Sequence, residues 1–376
     1  MPETDEKKSV DAPKQDVLFG RLFPLVADSE SGVMAGPNSV NLSVLTNLFS
    51  RAMIGVRDVL MDFGRMSFVE EPDQSFDATT KLSIGTDKDG FFILHTGPGC
   101  MDDIARHIGV PWFRKIPENL AKQEISWKAT TKSPFPLLCR HREIEGKDTA
   151  YAVYPKGWEV FDYAPLIENI DSMFRDNARL RRVSLEESGL LMDFVLNGSS
   201  TETDSGEWLC GVRVACSDQG RRTLAITPAL LRDSDGAIIL TGQNYIEYNP
   251  ILPFHEQKHL VQGAFLSSGS DRMKVFGMLR VAGTVGFSST DFQTYCDLGF
   301  LRSPVQEPIR KRLDSGSSIR NLADLVVACA ESASEAMPDA KKSTNRAAAA
   351  GVLLARGIRY LKEAQAVQLQ LVQPEA

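Results

Sequence analysis

Arg175, Arg179, Arg181 and Arg182 fall within eight residues, with Asp176 as the one acid among them. A guanidinium presents a planar fork of donors that matches two phosphate oxygens, so a cluster of this density suits contact with a polyanion. Arg140 and Arg142 flank His141 in a strand-like stretch, and Arg221-Arg222 form a further basic pair. These eight arginines make up the candidate nucleic-acid-binding set. Tyr151, Tyr154, Trp158 and Phe161 lie close by in sequence and could stack on unpaired bases. The plainer alternative is a helix C-terminus whose dipole favours cations, paired to neighbouring acids, with the aromatics buried as ordinary strand residues. Four arginines each neutralising a phosphate on a single strand would give a log–log salt slope of about −3.

Other chemistry is sparse. His255 and His259 are spaced i, i+4 in HEQKH, which resembles the zinc-protease pattern HExxH. Pro250 and Pro253 just upstream argue against a helix there, and no third ligand follows in the expected pattern. No phosphate-cradling glycine loop and no nucleophile-elbow sequence occurs. The acidic pairs Glu70-Glu71, Glu186-Glu187 and Asp233/Asp235 sit in polar surroundings and read as solvated faces or turns. No catalytic residue, metal ligand or cofactor is therefore assigned, and the balance leans away from an enzyme. A metal-dependent nuclease is disfavoured for lack of a carboxylate constellation.

The 376 residues carry 42 basic and 49 acidic side chains, a formal net charge of −7. No global basic field exists, so any hold on nucleic acid must come from local patches. Six cysteines are scattered without a CxxC pair, which favours reduced core thiols over a disulfide framework. The start lacks an apolar signal-peptide core, and no apolar run approaches the roughly 20 residues that span a bilayer. A cytoplasmic protein is expected, without membrane contact.

These residues need elements to hold them. Residues 1–16 hold five acids, three lysines and almost no apolar side chains, a composition expected to stay disordered. Apolar spacing from Val44 to Met53 predicts a helix, and alternating residues over 78–96 predict a hairpin about Asp87-Lys88-Asp89-Gly90. Asp102 caps a helix that ends near Gly109 and Pro111, and a second short helix follows Pro117. Strands are predicted at Leu137–Arg142 and Ala150–Tyr154, then a helix from Pro165 to about Arg175. One or two strands cover 183–197. The polar stretch 197–207 reads as a loop and as a possible internal boundary. Strands then start at Trp208, Thr223 and Ala237. From Val305 the Ala-, Leu-, Arg- and Glu-rich sequence predicts helices over 305–314, 318–337 and 343–370. The stripe Leu353, Leu354, Ile358, Leu361 and Val367 could pack on the body of the protein or join copies of the chain.

Several blocks are similar to the domain of unknown function 932 family, the phage/plasmid-like proteins. They are Ile104–Phe113 with Pro117-Glu118-Asn119-Leu120 and Trp127; Leu137–Arg140 with Thr149–Tyr154 and Val160–Ile167; and Gly211–Gly220 with Leu224–Pro228. The similarity spans about residues 75–265. Cys216-Ser217-Asp218 and Asp233-Ser234-Asp235-Gly236 depart from the family's Asn-Ser-Glu and Cys-Thr-Asn-Gly. The resemblance implies a phage, prophage or plasmid setting and supplies no agreed activity.

The expected fold is α+β: a curved, mainly antiparallel sheet with flanking helices in a core over 17–304, and a helical C-terminal region over 305–376. The expected function is non-catalytic nucleic-acid binding in a mobile element of a bacterial host, with single strands preferred for binding or annealing, by a homo-oligomer. The alternative is a structural or assembly component of a phage particle or protein complex.

Overall fold

The computed structural model describes residues 33–35, 46, 49–50, 54–69, 81–85, 91–96, 100–131, 136–144, 147–158, 162–174, 176–186, 189–217, 224–232, 234–241, 246–247, 254–270, 272–316, 319–336 and 340–360. The expected disordered tail, Arg175, Arg221, Arg222, Leu361 and Val367 lie outside them.

The chain is α+β, with two sheets. Strand β1 (Val33–Ala35) belongs to the larger one. The smaller contains β2 (Arg57–Asp62), β3 (Ser67–Val69), β4 (Lys81–Gly85), β5 (Phe91–Thr96), β6 (Pro136–Ile144) and β7 (Lys147–Pro155), in the order β2-β6-β7-β5-β4-β3. All its pairings are antiparallel except β5 with β7. A parallel neighbour needs a long crossover, and the crossover carries helices α1 (Cys100–Ile108) and α2 (Glu118–Thr131). Asp102 and Asp103 sit in the first turn of α1, where the dipole favours anions. Gly109, at φ 86°, ends it in a conformation that glycine adopts without strain. Ile104 and Ile108 of α1 pack with Ala121, Ile125 and Ala129 of α2 on Met61, Leu94, Cys139 and Val153 of the sheet.

After α3 (Tyr163–Phe174) comes the larger sheet: β8 (Ala178–Glu186), β9 (Gly189–Thr203), β10 (Gly206–Cys216), β11 (Ala225–Arg232) and β12 (Ile238–Leu240). They run in the order β1-β8-β9-β10-β11-β12, with β13 (Ile246–Glu247) on the other end of β11. Leu190, Met192, Phe194, Val212 and Val214 alternate onto one face, against α3 and α4 (Phe254–Ser270). Phe174 and Phe265 stack there with ring centroids 3.9 Å apart. Gly211 brings β10 close to β9: a Cβ at this position would lie 2.0 Å from the Phe194 carbonyl oxygen.

Helices α5 (Arg272–Gly283), α6 (Ser289–Asp297), α7 (Ser303–Asp314), α8 (Leu322–Glu335) and α9 (Ala340–Val352) build a second core with Trp208, Leu230 and Ile239. The C-terminal helical region is thus present, and it packs into the sheet. Ala333 and Ala347 cover Ile238 and Leu240 on the sheet's other face. Leu353 and Leu354 are buried in the helical core and Ile358 packs against it, so this part of the stripe faces the protein itself.

Three expectations need correction. Residues 197–207 form no boundary, because β9 runs to Thr203 and β10 starts at Gly206 as one long hairpin. The core changes hands earlier, between β7 and α3; among the described residues before α3, Phe49 packs on Tyr163. Arg179, Arg181 and Arg182 lie on strand β8 and not at a helix end. Finally, residues 254–297 form three helices. The first of them begins at Phe254, directly after Pro253 in the sequence.

Candidate nucleic-acid interface

The β6 arginines face inward. Arg140 is 3% exposed; its Nε and Nη2 donate to the two carboxylate oxygens of Asp58 at 2.8 and 2.9 Å, and its Nη1 donates to Asp162 at 2.7 Å. Burial opposes its charge. The Asp58 hydrogen bonds, then Tyr154, Tyr151 and Asp162, outweigh that, and the guanidinium is held protonated more firmly than usual. Asp58 is on β2 and Asp162 immediately precedes α3, so Arg140 ties the smaller sheet to the connection leading out of it. Arg142 is buried, 5.8 Å from the Tyr151 ring centroid. Tyr151 and Tyr154 are themselves buried and stack on no base. The buried charges of Arg140 and Arg142 are a correction to the phosphate-contact expectation: an arginine enclosed with carboxylates or an aromatic ring presents no fork to a ligand at the surface.

On β8 the pairing with β9 slips between Leu180 and Arg182, leaving Arg181 as an extra residue. This bulge lets Leu180 and Val183, three apart, both reach the apolar core and sends Arg182 to the opposite face. Arg182 then stands directly across from Asp193, and Asp193 directly across from Arg213 on β10. All three are buried. Arg213 takes both oxygens of Asp193, through Nε at 2.7 Å and Nη2 at 2.9 Å, and its Nη1 donates to Ser343 Oγ on α9 at 3.2 Å. Arg182 Nη2 instead donates to the carbonyl of Gly236 at 2.6 Å, in the turn between β11 and β12. In a flat sheet β8 and β11 lie about 14 Å apart, from three strand spacings. An arginine cannot bridge that, so the sheet curls around this face. Burial pulls the Arg182 pKa down, Asp193 opposes this, and Arg213 and Arg181 lower it further. Like Arg140 and Arg142, Arg182 is therefore removed from the surface set. Arg179 is exposed and Arg181 half-buried.

Beside this row, Arg232 joins β11 to the helices. It pairs with Asp235 and Glu331, lies 5.4 Å from the Trp208 ring centroid, and shares Glu331 with Arg312. This is a packing network between sheet and helices.

The surface also holds side chains to which sequence reasoning assigns no binding role. Trp127 is 57% exposed and Leu120 48% exposed, one heptad apart on the outer face of α2, opposite Ala121, Ile125 and Ala129. The Lys128 ammonium sits 4.8 Å from the Trp127 ring centroid. Trp112, between the two helices, is 41% exposed. The sequence carried no clear signal for this, because apolar residues fall on both sides of α2 and spacing alone does not say which side meets solvent.

His255 and His259 are both exposed and lie one turn apart on α4, so HEQKH is helical after all. Among the described residues no group of three or more His, Cys, Asp or Glu could hold a metal ion. The six cysteines are thiols and not disulfides, five of them buried and Cys296 half-buried. Among the described residues no helix is long and apolar enough to cross a membrane. No family model matches this chain, and neither does any curated protein or solved structure compared with it.

Proposed function

We propose that this chain is a non-catalytic nucleic-acid-binding protein that prefers single strands and works as a homo-oligomer. Its setting, on this reading, is a phage or other mobile element in the cytoplasm of a bacterial host. The observation that carries the binding is Trp127: an indole more than half exposed, with a lysine ammonium over its ring, offers a stacking face and a cation together. Arg179, exposed on β8, adds a separate phosphate contact, and Arg175, Arg221 and Arg222 stay in the set as sequence candidates. The mobile-element setting rests on the resemblance to the phage/plasmid-like family.

The test is titration of the full chain with a short single-stranded oligonucleotide, read by tryptophan fluorescence and anisotropy. Trp127→Ala should weaken binding by about 5- to 150-fold, from roughly 1–3 kcal/mol per stacked base. Arg179→Ala should flatten the log–log salt slope by about 0.7. No binding at low salt would sink the reading.

Ile93 and Leu266 favour a second reading, an assembly component. Both are aliphatic and more than half exposed, and aliphatic side chains bury against protein rather than stack on bases. Light scattering showing a stable assembly by a chain without affinity for nucleic acid would support it.

A further inference from the structure

We propose that the inner face of the curled sheet, at Arg182 beside Arg213, binds a small oxyanion of the phosphate class. The row Arg182, Asp193, Arg213 holds two cations and one anion inside the protein, at 5%, 0% and 1% exposure. Guanidinium groups do not deprotonate in proteins, so this positive charge cannot be relieved by losing a proton. Asp193 gives both oxygens to Arg213 and has none left aimed at Arg182 in the same fashion. Arg182 holds one carbonyl through Nη2, and among the described residues its Nη1 is buried with no hydrogen-bond partner. Asp235, in the same turn as Gly236, is bound by Arg232.

An enclosed charge with an orphaned donor is costly unless an anion meets it. A tetrahedral oxyanion offers several acceptors and the missing negative charge, and arginine is the side chain best shaped to take it. The facing helix α9 supplies one hydroxyl, Ser343 Oγ, which already accepts from Arg213. Neutral and cationic ligands are excluded by the sign of the row. A carboxylate would bring fewer acceptors for the same enclosure.

The site is distinct from Trp127 and does not rest on the nucleic-acid reading. The oxyanion can be free phosphate or the phosphate group of a nucleotide chain. Melting of the full chain at constant ionic strength distinguishes them, with sodium phosphate replacing sodium chloride in one arm and a short oligo(dT) added in the other. Phosphate at ten times its Kd should raise Tm by about 2 °C, saturably. The rise should vanish in Arg182→Met, which keeps the volume and removes the excess charge. Stabilisation by the oligonucleotide alone, lost in the same variant, would assign the oxyanion to a nucleic-acid chain. If Arg182→Met does not fold, phosphate titration of the unaltered chain by calorimetry decides, with one site per chain expected. No phosphate or oligonucleotide effect on the unaltered chain, or an effect unchanged in Arg182→Met, overturns the proposal.

Discussion

Arg213 and Asp193 form a two-pronged ion pair between adjacent strands at the centre of the larger sheet, neither with more than 1% of its surface exposed. Each stands as a single charge in an apolar strand sequence, CGVRVAC and LLMDFVL. Their pairing explains how two such strands can be buried on both faces.

Removing one partner leaves the other enclosed and uncompensated. Asp193→Ala should cost about 3–5 kcal/mol, because two arginines would then share the site with no carboxylate. The pair Asp193→Leu with Arg213→Met should recover most of the loss, since replacing a buried ion pair by apolar groups is often neutral. Urea unfolding of the two variants beside the unaltered chain measures both effects. An Asp193→Ala loss below about 1 kcal/mol would show that the pair contributes little.

This pair also marks where sequence reasoning reached and where it stopped. Strand alternation in β6, β7 and β10 and the helix propensity after Val305 came from local chemistry and were legible. A lone Arg213 or Asp193 inside an apolar strand was a readable signal too, because a buried charge must be paired. The denser cluster at Arg175–Arg182 outweighs it when charge is read along the sequence alone. Density of charge in sequence says nothing of facing: the bulge at Arg181 splits that cluster between surface and interior, and a bulge has no local pattern to announce it. The helices over 254–297 are hidden by their weak apolar periodicity, since Leu266, on the fourth turn of α4, points to solvent.

Gly351 reverses the usual sign of a helix glycine. In α9 an alanine would ordinarily stabilise by about 1 kcal/mol. Here its Cβ would lie 1.7 Å from the Leu240 carbonyl oxygen, so the helix must move off β12. Gly351→Ala should destabilise by about 1–3 kcal/mol, the range for overpacking. Gly277→Ala, in α5 with nothing within 4 Å, should stabilise by about 0.5–1 kcal/mol. Denaturant midpoints of the two variants moving in the same direction would contradict this.

Acid should loosen the turn between β11 and β12. Burial raises the Asp235 pKa, but hydrogen bonds from Arg232 and the Ala237 N–H outweigh it and hold the carboxyl below its ordinary 3.8. The stability linked to this group is therefore fully present above the ordinary value and is lost as pH falls through the lower folded one. Asp235→Asn lacks that term, so the variant should melt below the unaltered chain near pH 6, and the gap should narrow as pH falls through and below the ordinary carboxylate range. A gap that is constant with pH would refute the linkage.

Arg182 and Gly236 should be coupled to each other. A Cβ at Gly236 would fall 1.4 Å from Arg182 Nη2, and the backbone there has φ 70°, which side chains adopt with strain. Gly236→Ala therefore carries two costs, backbone strain of about 1 kcal/mol and displacement of a buried guanidinium from its carbonyl. In an Arg182→Ala background only the strain remains. The double-mutant cycle should return a coupling of about 1–3 kcal/mol, typical of residues in direct contact. Because β8 and β11 are separated by two strands in the sheet order, such coupling would not arise in a flat sheet. A coupling within about 0.5 kcal/mol of zero would mean that Arg182 does not reach across and that the inner face is open.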